Sequence, residues 1–473
     1  MHQLNKLRDR IIRRVNINLR RFDFDAADYL RSYIPLSQLT KFYAFYGITD
    51  HHPLYFHFSH SNLAGSYFLG KCKVDNAILY KSDIRGDELK SKGDTFQYRG
   101  TAIPLDHDEV IWIKDSFLVK TLVHNCSHDP ENPEIFWIQN TASSPYANIH
   151  GSVMEGCFLG PFASVDLTSL HGCQVGTFSY LQVGELWHRQ IEPGQIWIKN
   201  EDLFDFSYRF APSVLKRYIN FEPGQRPRGI FIDFVESRKD DFHRVFDVVH
   251  LATPRSVPKN ASLSRYAVLK PKTRIGENVL VAQRAYLENS FLGKGANAQE
   301  NCFLVNSHLQ GDNVTAHGAK LIHTRLEEKV FVGFNSFLRG TPDSPLIVGP
   351  GSIIMPHAII DLSEALTIPP GHLVWGFIQN ARDLETHSIA LKSLTEVQGE
   401  LNLGAMRFQG QGARFVEAFQ QRIEHILEAN GAYYDGNKNK GHAQKGQNIA
   451  YNIIQPYSMG TLKGVYPTID ICP

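Results

Sequence analysis

IGENVLVAQRAYLENSFLGKGANAQENCFL, residues 275–304, is the stretch whose reading decides the fold. Ile275, Val281 and Leu287 stand six apart, and the count restarts at Leu292, Ala298 and Leu304. Leu309, Thr315 and Leu321 continue the ladder, then Leu326, Val332 and Leu338. A further triplet, Val348, Ile354 and Ile360, comes late, behind the insertion Thr341–Pro342–Asp343–Ser344–Pro345. Neither the 3.6-residue period of a helix nor simple alternation produces this register. Three sides per turn, restarting every seventeen residues, describe a mainly β, triangular solenoid with each ladder residue pointing inward. Gly276, Gly293, Gly333 and Gly349 follow ladder residues, where glycine is expected to permit the corner between two sides.

Outward from this block the pattern weakens in steps. Val153, Leu159 and Val165 form a second ladder, continued by Val175 and Leu181; Leu63 and Leu69 are its faint start. The expected organisation is a first β-helical block with loops over 60–198 and a main hexapeptide-repeat β-helix over 263–378. Residues 199–262 break the register and read as a helical insertion, with helices at Ser213–Tyr218 and Asp240–Leu251. Residues 1–59 read as helical, and Asp25 is placed to cap a helix starting at Ala26. Between Lys6 and Arg21 seven basic residues interleave with Ile11, Ile12, Val15, Ile17 and Leu19. The apolar side suits a cap on the open end of the solenoid, and the basic side could touch a membrane surface. Residues 379–473 read as a helical segment and flexible tail: helices at 380–398 and 412–429, a mobile Asn/Lys/Gly-rich stretch, and an extended end.

Bulk composition excludes more than it identifies. With 42% hydrophobic and 21% charged residues and a formal net charge of +1, the chain has no global reason to bind nucleic acid. Six cysteines form no CxxC pair, which fits a reducing cytoplasm better than a disulfide framework. No segment has the apolar length of a membrane span, and the start lacks the core of a secretory signal, so a cytoplasmic location is expected. Phosphate loops, nucleophile elbows and zinc-finger spacings are absent from the sequence.

The unit aliphatic–Gly–x–x–small–x recurs as Leu159-Gly-Pro-Phe-Ala-Ser, Val332-Gly-Phe-Asn-Ser-Phe and Val348-Gly-Pro-Gly-Ser-Ile. In these units the chain resembles the left-handed parallel β-helix, or hexapeptide-repeat, superfamily over roughly 60–197 and 264–378. That superfamily includes trimeric acyltransferases and the γ-class carbonic anhydrases. The resemblance implies a left-handed β-helix, a homotrimer with sites between neighbouring prisms, and a small-molecule substrate. In the acyltransferase branch the donor is an acyl-CoA or acyl-carrier thioester. The carbonic anhydrase branch implies Zn held by three histidines, two from one prism and one from its neighbour. Leu122-Val-His124-Asn-Cys126-Ser-His128 with Ile149-His150-Gly151, and Asn297-Ala-Gln299-Glu300-Asn301 with His317 and His323, are the stretches most like that second pattern. Both depart from it. Five residues, not four, separate His317 from His323; Asn306 lies one turn below His323; and Pro145 stands where the first stretch would need a histidine.

Individual histidines carry the remaining chemistry. His150 and His171 occupy twin settings, each after an aliphatic residue and before a glycine, and either could serve as general base on an acceptor hydroxyl or amine. His317 is the third candidate base, with Glu300 expected one turn below it. His124, Cys126 and His128 alternate as ligands on one strand face would, which makes His124 and His128, with His323, the candidate metal ligands. The expected function is acyl transfer from a pantetheine thioester. Alternatives are a γ-carbonic-anhydrase-like metalloenzyme with an altered His site, using some of His124, His150, His317 and His323, and a non-catalytic trimeric scaffold.

Overall fold

The computed structural model describes all residues except 1, 32, 40–43, 49–54, 99, 127–134, 247–256, 455–468 and 472–473. The chain divides into two units, Met1–Gln195 with Leu215–Gly229 and Ile449–Pro473, and Ile196–Val214 with Ile230–Asn448. In each, successive short strands take up three sides in rotation, so that a strand lies parallel to the one three places earlier through most of the repeat, which is the three-sided solenoid expected from the ladder.

In the second unit the expected ladder is the core. Ile275, Leu292, Leu309, Leu326, Val348 and Ile368 pair in one parallel column. Val281, Leu287, Ala298, Leu304, Leu321, Val332, Leu338, Ile354 and Ile360 are buried with them. The late triplet keeps its column because the five-residue excess loops out before Leu346 and pairing then resumes. The ladder glycines act differently from the expectation. Gly276, Gly293, Gly333 and Gly349 have ordinary φ, and what they avoid is collision with the next coil: a Cβ on Gly293 would lie 1.8 Å from the Gln310 carbonyl oxygen. The left-handed corner positions are held mostly by other residues, among them Asn278, Asn301 and Asn335.

Outside this prism Tyr286, Phe303, Lys320, Phe337 and Ile359 form another column, pointing away from the ladder. Helices Ile230–Glu236 and Lys239–Phe246 pack on it: Phe231 meets Phe337, Phe234 meets Phe303 and Phe242 meets Tyr286. The first of these helices was not read in the sequence, and the part of the expected Asp240–Leu251 helix beyond Phe246 lies outside the described residues. Lys320 sits within this aromatic column, 2% exposed, its Nζ donating to the Gly318 carbonyl at 2.6 Å. Burial pushes its amine down to about 8.

The first unit has a shorter coil of sixteen residues, as Asn148, Ser164 and Tyr180 pair in register. Its sides are unequal. Met154, not the expected Val153, is the buried ladder residue, because five residues rather than six separate it from Leu159. The N-terminal helix, His2–Asn18, does not cap an end. Its buried Leu4, Leu7, Ile11, Ile12 and Val15 pack with Ile78, Phe117, Ala142 and Phe158, one residue from each of four successive coils along one side. On its basic side Arg10 reaches Asp115 at 3.3 Å. Asp25 caps the next helix as expected, accepting from the Ala27 amide.

Strands replace helix or coil at both termini. Ala44–Ile48 lies in the segment read as helical, and pairs with Ser66–Gly70 on one edge and antiparallel with Ala450–Ile454 on the other. Ile469–Ile471 pairs with Phe56–Ser59, so the extended end docks. The stretch expected to be mobile is tied down where Asn278 donates to the carbonyls of Ala432 and Tyr434, and Gln444 to that of Asn260. Residues 380–398 hold two short helices around a strand, whereas Gly412–Asn430 is helical and ends on left-handed Gly431, as read. No described helix is long and apolar enough to cross a membrane.

Two outcomes follow. Leu304→Ala should cost about 2–5 kcal/mol by leaving a cavity in the ladder. Gly293→Ala should cost a comparable amount although it removes nothing; denaturant melts of both test this, and a neutral Gly293→Ala would contradict the close approach of the coils. The Lys320 amine also makes stability pH-dependent. Its folded pKa of about 8 lies below the ordinary lysine value of 10.5, so between those values the unfolded chain holds a proton that the folded chain has lost. Stability should therefore rise through that window, by about 3 kcal/mol at 1.4 kcal/mol per unit. Lys320→Met should abolish the rise and be more stable at neutral pH, measured as the difference between wild-type and variant melts.

Candidate active site

Parallel, in-register pairing turns residues far apart in sequence into a column. In the first unit Arg85, His124, His150 and Asp166 occupy matching positions on four neighbouring strands, Asp83–Glu88, Leu122–Cys126, Asn148–His150 and Ser164–Asp166. Neighbouring strands lie about 4.8 Å apart, so the side chains meet directly. All four are buried, and Asp166 completely. A desolvated polar column is stable only if its members satisfy one another.

They do so through acid–base pairs. The Arg85 guanidinium forks onto Asp87, with Nε donating to Oδ1 at 2.9 Å and Nη2 donating to Oδ2. His124 Nε2 stands 3.4 Å from Glu88 Oε1. The His124 and His150 rings meet edge to face at 5.0 Å, and their ligand nitrogens lie within 4.8 Å of one another. His150 Nδ1 donates to Asp166 Oδ1 at 2.8 Å. Tyr180 donates its phenolic proton to the other oxygen of Asp166, and its oxygen lies 3.1 Å from the Gln182 amide group. With that single proton committed to the carboxylate, the amide meets the phenol through its NH2. Asp166 thus fixes the tautomer with Nδ1 protonated and the lone pair on Nε2, the form needed by either a general base or a metal ligand.

The second unit holds a similar pair. Glu300 Oε2 meets His317 Nδ1 at 2.7 Å, both almost fully buried, with Phe334 against the imidazole. The stacking of Glu300 under His317 is as the seventeen-residue spacing requires. Nearby Cys302 is a poor nucleophile, since burial pushes its thiol up to about 12.

The other sequence candidates fall elsewhere. His171 is not a twin of His150: it belongs to a different sheet, Thr168–His171, stacked on Trp187 at 3.9 Å between Glu155 and Glu185. His323 holds a left-handed corner and pairs with Asn306, which pairs with Asn289, so it extends a corner ladder of carboxamides. His128 and the side chain of Cys126 lie outside the described residues, and the strand register shifts between His124 and Cys126, which interrupts the alternation the metal reading assumed. His308 and Arg325 are in register, but His308 stacks on Phe291 and Arg325 turns to Glu327. Arg85, Asp87, Glu88, Asp166 and Tyr180 were not singled out in the sequence. Asp166 was findable, one sixteen-residue coil beyond His150.

Comparison with known proteins places this architecture. A family model described as hexapeptide repeat including loop matches residues 101–223. The crystal structure of a "putative acetyltransferase" from Desulfovibrio desulfuricans G20 is 54% identical, with a TM-score of 0.93, over 100% of this chain and 99% of that one. A structure titled as a "putative acetyltransferase" from Bacillus cereus is 12% identical over 36% of this chain and 91% of that one; at a TM-score of 0.18 it carries no argument. No curated protein matches. With repeat units, three-sided stacking of strands and a full-length relative in agreement, the chain belongs to the hexapeptide-repeat family.

Proposed function

We propose that this protein is an acyltransferase of the hexapeptide-repeat type, moving an acyl group from an acyl-CoA or acyl-carrier thioester to a small amine or hydroxyl acceptor. The likeness along the whole chain to a protein titled as an acetyltransferase carries this reading. The family resemblance adds a left-handed β-helix and a homotrimer, for which light scattering on the purified protein is the check.

His150 is the proposed general base. Its Nε2 takes the proton from the acceptor as the acceptor nitrogen or oxygen attacks the thioester carbonyl. The resulting imidazolium is stabilised by Asp166 at Nδ1 and returns the proton to the sulfur as the carbon–sulfur bond breaks, releasing acylated acceptor and free thiol. Asp166, held by Tyr180, positions the ring. His317, with Glu300, is the second candidate base.

A second reading is favoured by the His124–His150 pair. Two imidazoles with ligand atoms within 4.8 Å, one of them backed by a carboxylate on its far nitrogen, are a donor set that fits Zn²⁺. A bound zinc would supply an activated water or a polarised carbonyl there. His317 and His323 are the sequence candidates for a further imidazole.

The two readings separate by experiment. Thiol release from acetyl-CoA, longer acyl-CoAs and acyl carriers, measured over a panel of amines and alcohols, should exceed hydrolysis and fall about 10²–10⁴-fold in His150→Gln. Turnover unchanged in that variant would remove His150 from the mechanism, and no release with any donor would remove the transferase reading. For the metal, elemental analysis of protein purified without added metal should find about one zinc per chain, as expected for a closed or catalytic site. His124→Gln and His150→Gln should each lose it, and His317→Gln and His323→Gln tested alongside identify any further ligand. Metal-free wild type that cannot be loaded would end this reading.

A further inference from the structure

We propose that the second unit carries a binding site for a small zwitterion, a molecule with one ammonium and one carboxylate, on a polar sheet face that the transfer chemistry does not use. Three antiparallel strands build it: Phe204–Arg209, Met406–Gln411 and Gln398–Leu403. Their register sets two rows across the sheet. Asp205, Gln409 and Glu400 stand opposite one another in the first row; Ser207, Arg407 and Asn402 stand opposite one another in the second. Residues of the opposite parity go to the other face, where Phe204, Phe206 and Phe408 pack around Phe415 of the helix Gly412–Asn430. The six polar side chains therefore share one face, and they line a cavity of ≈ 340 Å³.

The charge on this face is divided rather than mixed. The first row carries two carboxylates around an amide, and the second a guanidinium between an amide and a hydroxyl. Rows two residues apart along a strand are separated by about 7 Å. Opposite charges at such diagonal positions can reach each other with long side chains. Here they do not: among the described residues Arg407, Glu400, Asn402 and Gln409 make no side-chain hydrogen bond or ion pair, and Asp205 is held by the Trp197 indole N–H at 3.0 Å. A lone carboxylate would meet Arg407 under the repulsion of two acids, and a lone amine would leave the guanidinium without an anion. A zwitterion engages both rows, with its carboxylate on Arg407 and its ammonium on Glu400 or Asp205. The amides of Gln409 and Asn402 each offer a donor and an acceptor to either end.

Ligand-observed saturation-transfer NMR on the full chain tests this. The probes are glycine, β-alanine and γ-aminobutyrate, a series in charge separation, with propylamine and propionate as half-ligands. At least one zwitterion should bind saturably, about tenfold more tightly than either half-ligand. Arg407→Gln should erase the advantage over propylamine, and Glu400→Gln with Asp205→Asn the advantage over propionate, each with an unchanged melting temperature because the substituted side chains face away from the core. Half-ligands that bind as well as the zwitterions, no saturable binding by any probe, or binding that Arg407→Gln leaves intact would each overturn the proposal and return this face to solvation. None of these readouts depends on acyl transfer, so the site and the transferase reading fail separately.

Discussion

The coil-to-coil hydrogen-bonded pairing is the constraint on which the rest of the molecule depends. Each strand is only two to six residues long and cannot stand alone; it exists because the strands above and below it satisfy its backbone. The pairing brings backbones so close that Gly160, Gly176, Gly293, Gly333 and Gly349 have no room for a Cβ. It also forces like positions of successive coils into contact, so an aliphatic choice at one position is repeated along a column. The corner polar ladder obeys the same rule: Thr141 Oγ1 accepts the Cys157 amide, and Cys157 Sγ in turn accepts that of Cys173.

That constraint explains what was legible. From Ile275 to Leu338 the second unit keeps a coil of seventeen residues, so simple counting finds the inward column there and also predicts Glu300 beneath His317 and Asn306 beneath His323, whereas the coils at either end, such as Ser262 to Leu280 and Val348 to Ile368, run longer. In the first unit the coil is sixteen residues with unequal sides, and long excursions precede the strands that carry His124 and His150. The column Arg85, His124, His150 and Asp166 therefore has no constant spacing in sequence, although it is regular in space. Local settings misled where stacking decides: His150 and His171 share a sequence context, yet one meets Asp166 and the other stacks on Trp187. The terminal strands were hidden for a different reason. Ala450–Ile454 and Ile469–Ile471 pair with residues about 400 positions away, and no local periodicity reports such a partner.

The helices follow from the outward columns. A prism side whose outward positions are aliphatic or aromatic has to be covered. In the first unit Ile78, Phe117, Ala142 and Phe158 are covered by the N-terminal helix, and in the second Phe303 and Phe337 by Phe231 and Phe234. A side whose outward column is polar meets the opposite demand, since its groups must pair among themselves once water is withdrawn. The Arg85–Asp87 fork and the Asp166–Tyr180 bond meet that demand.

The same burial makes the imidazoles useful. An exposed histidine next to a carboxylate gains little, because water screens the pair and either ring nitrogen can carry the proton. At His150 the carboxylate partner is wholly desolvated and hydrogen-bonded to Nδ1, so the preference for one tautomer is strong and the reactive nitrogen is defined before any ligand arrives; at His317 a carboxylate as deeply buried lies beside the same nitrogen. A solenoid supplies this preorganisation cheaply in sequence terms: placing a carboxylate one coil from a histidine suffices, because the pairing that builds the fold also sets the distance. The chemistry of the site is thus a consequence of register, and a one-residue slip of the strand bearing Asp166 would turn the carboxylate to the opposite face and dissolve the dyad while leaving both residues in the sequence.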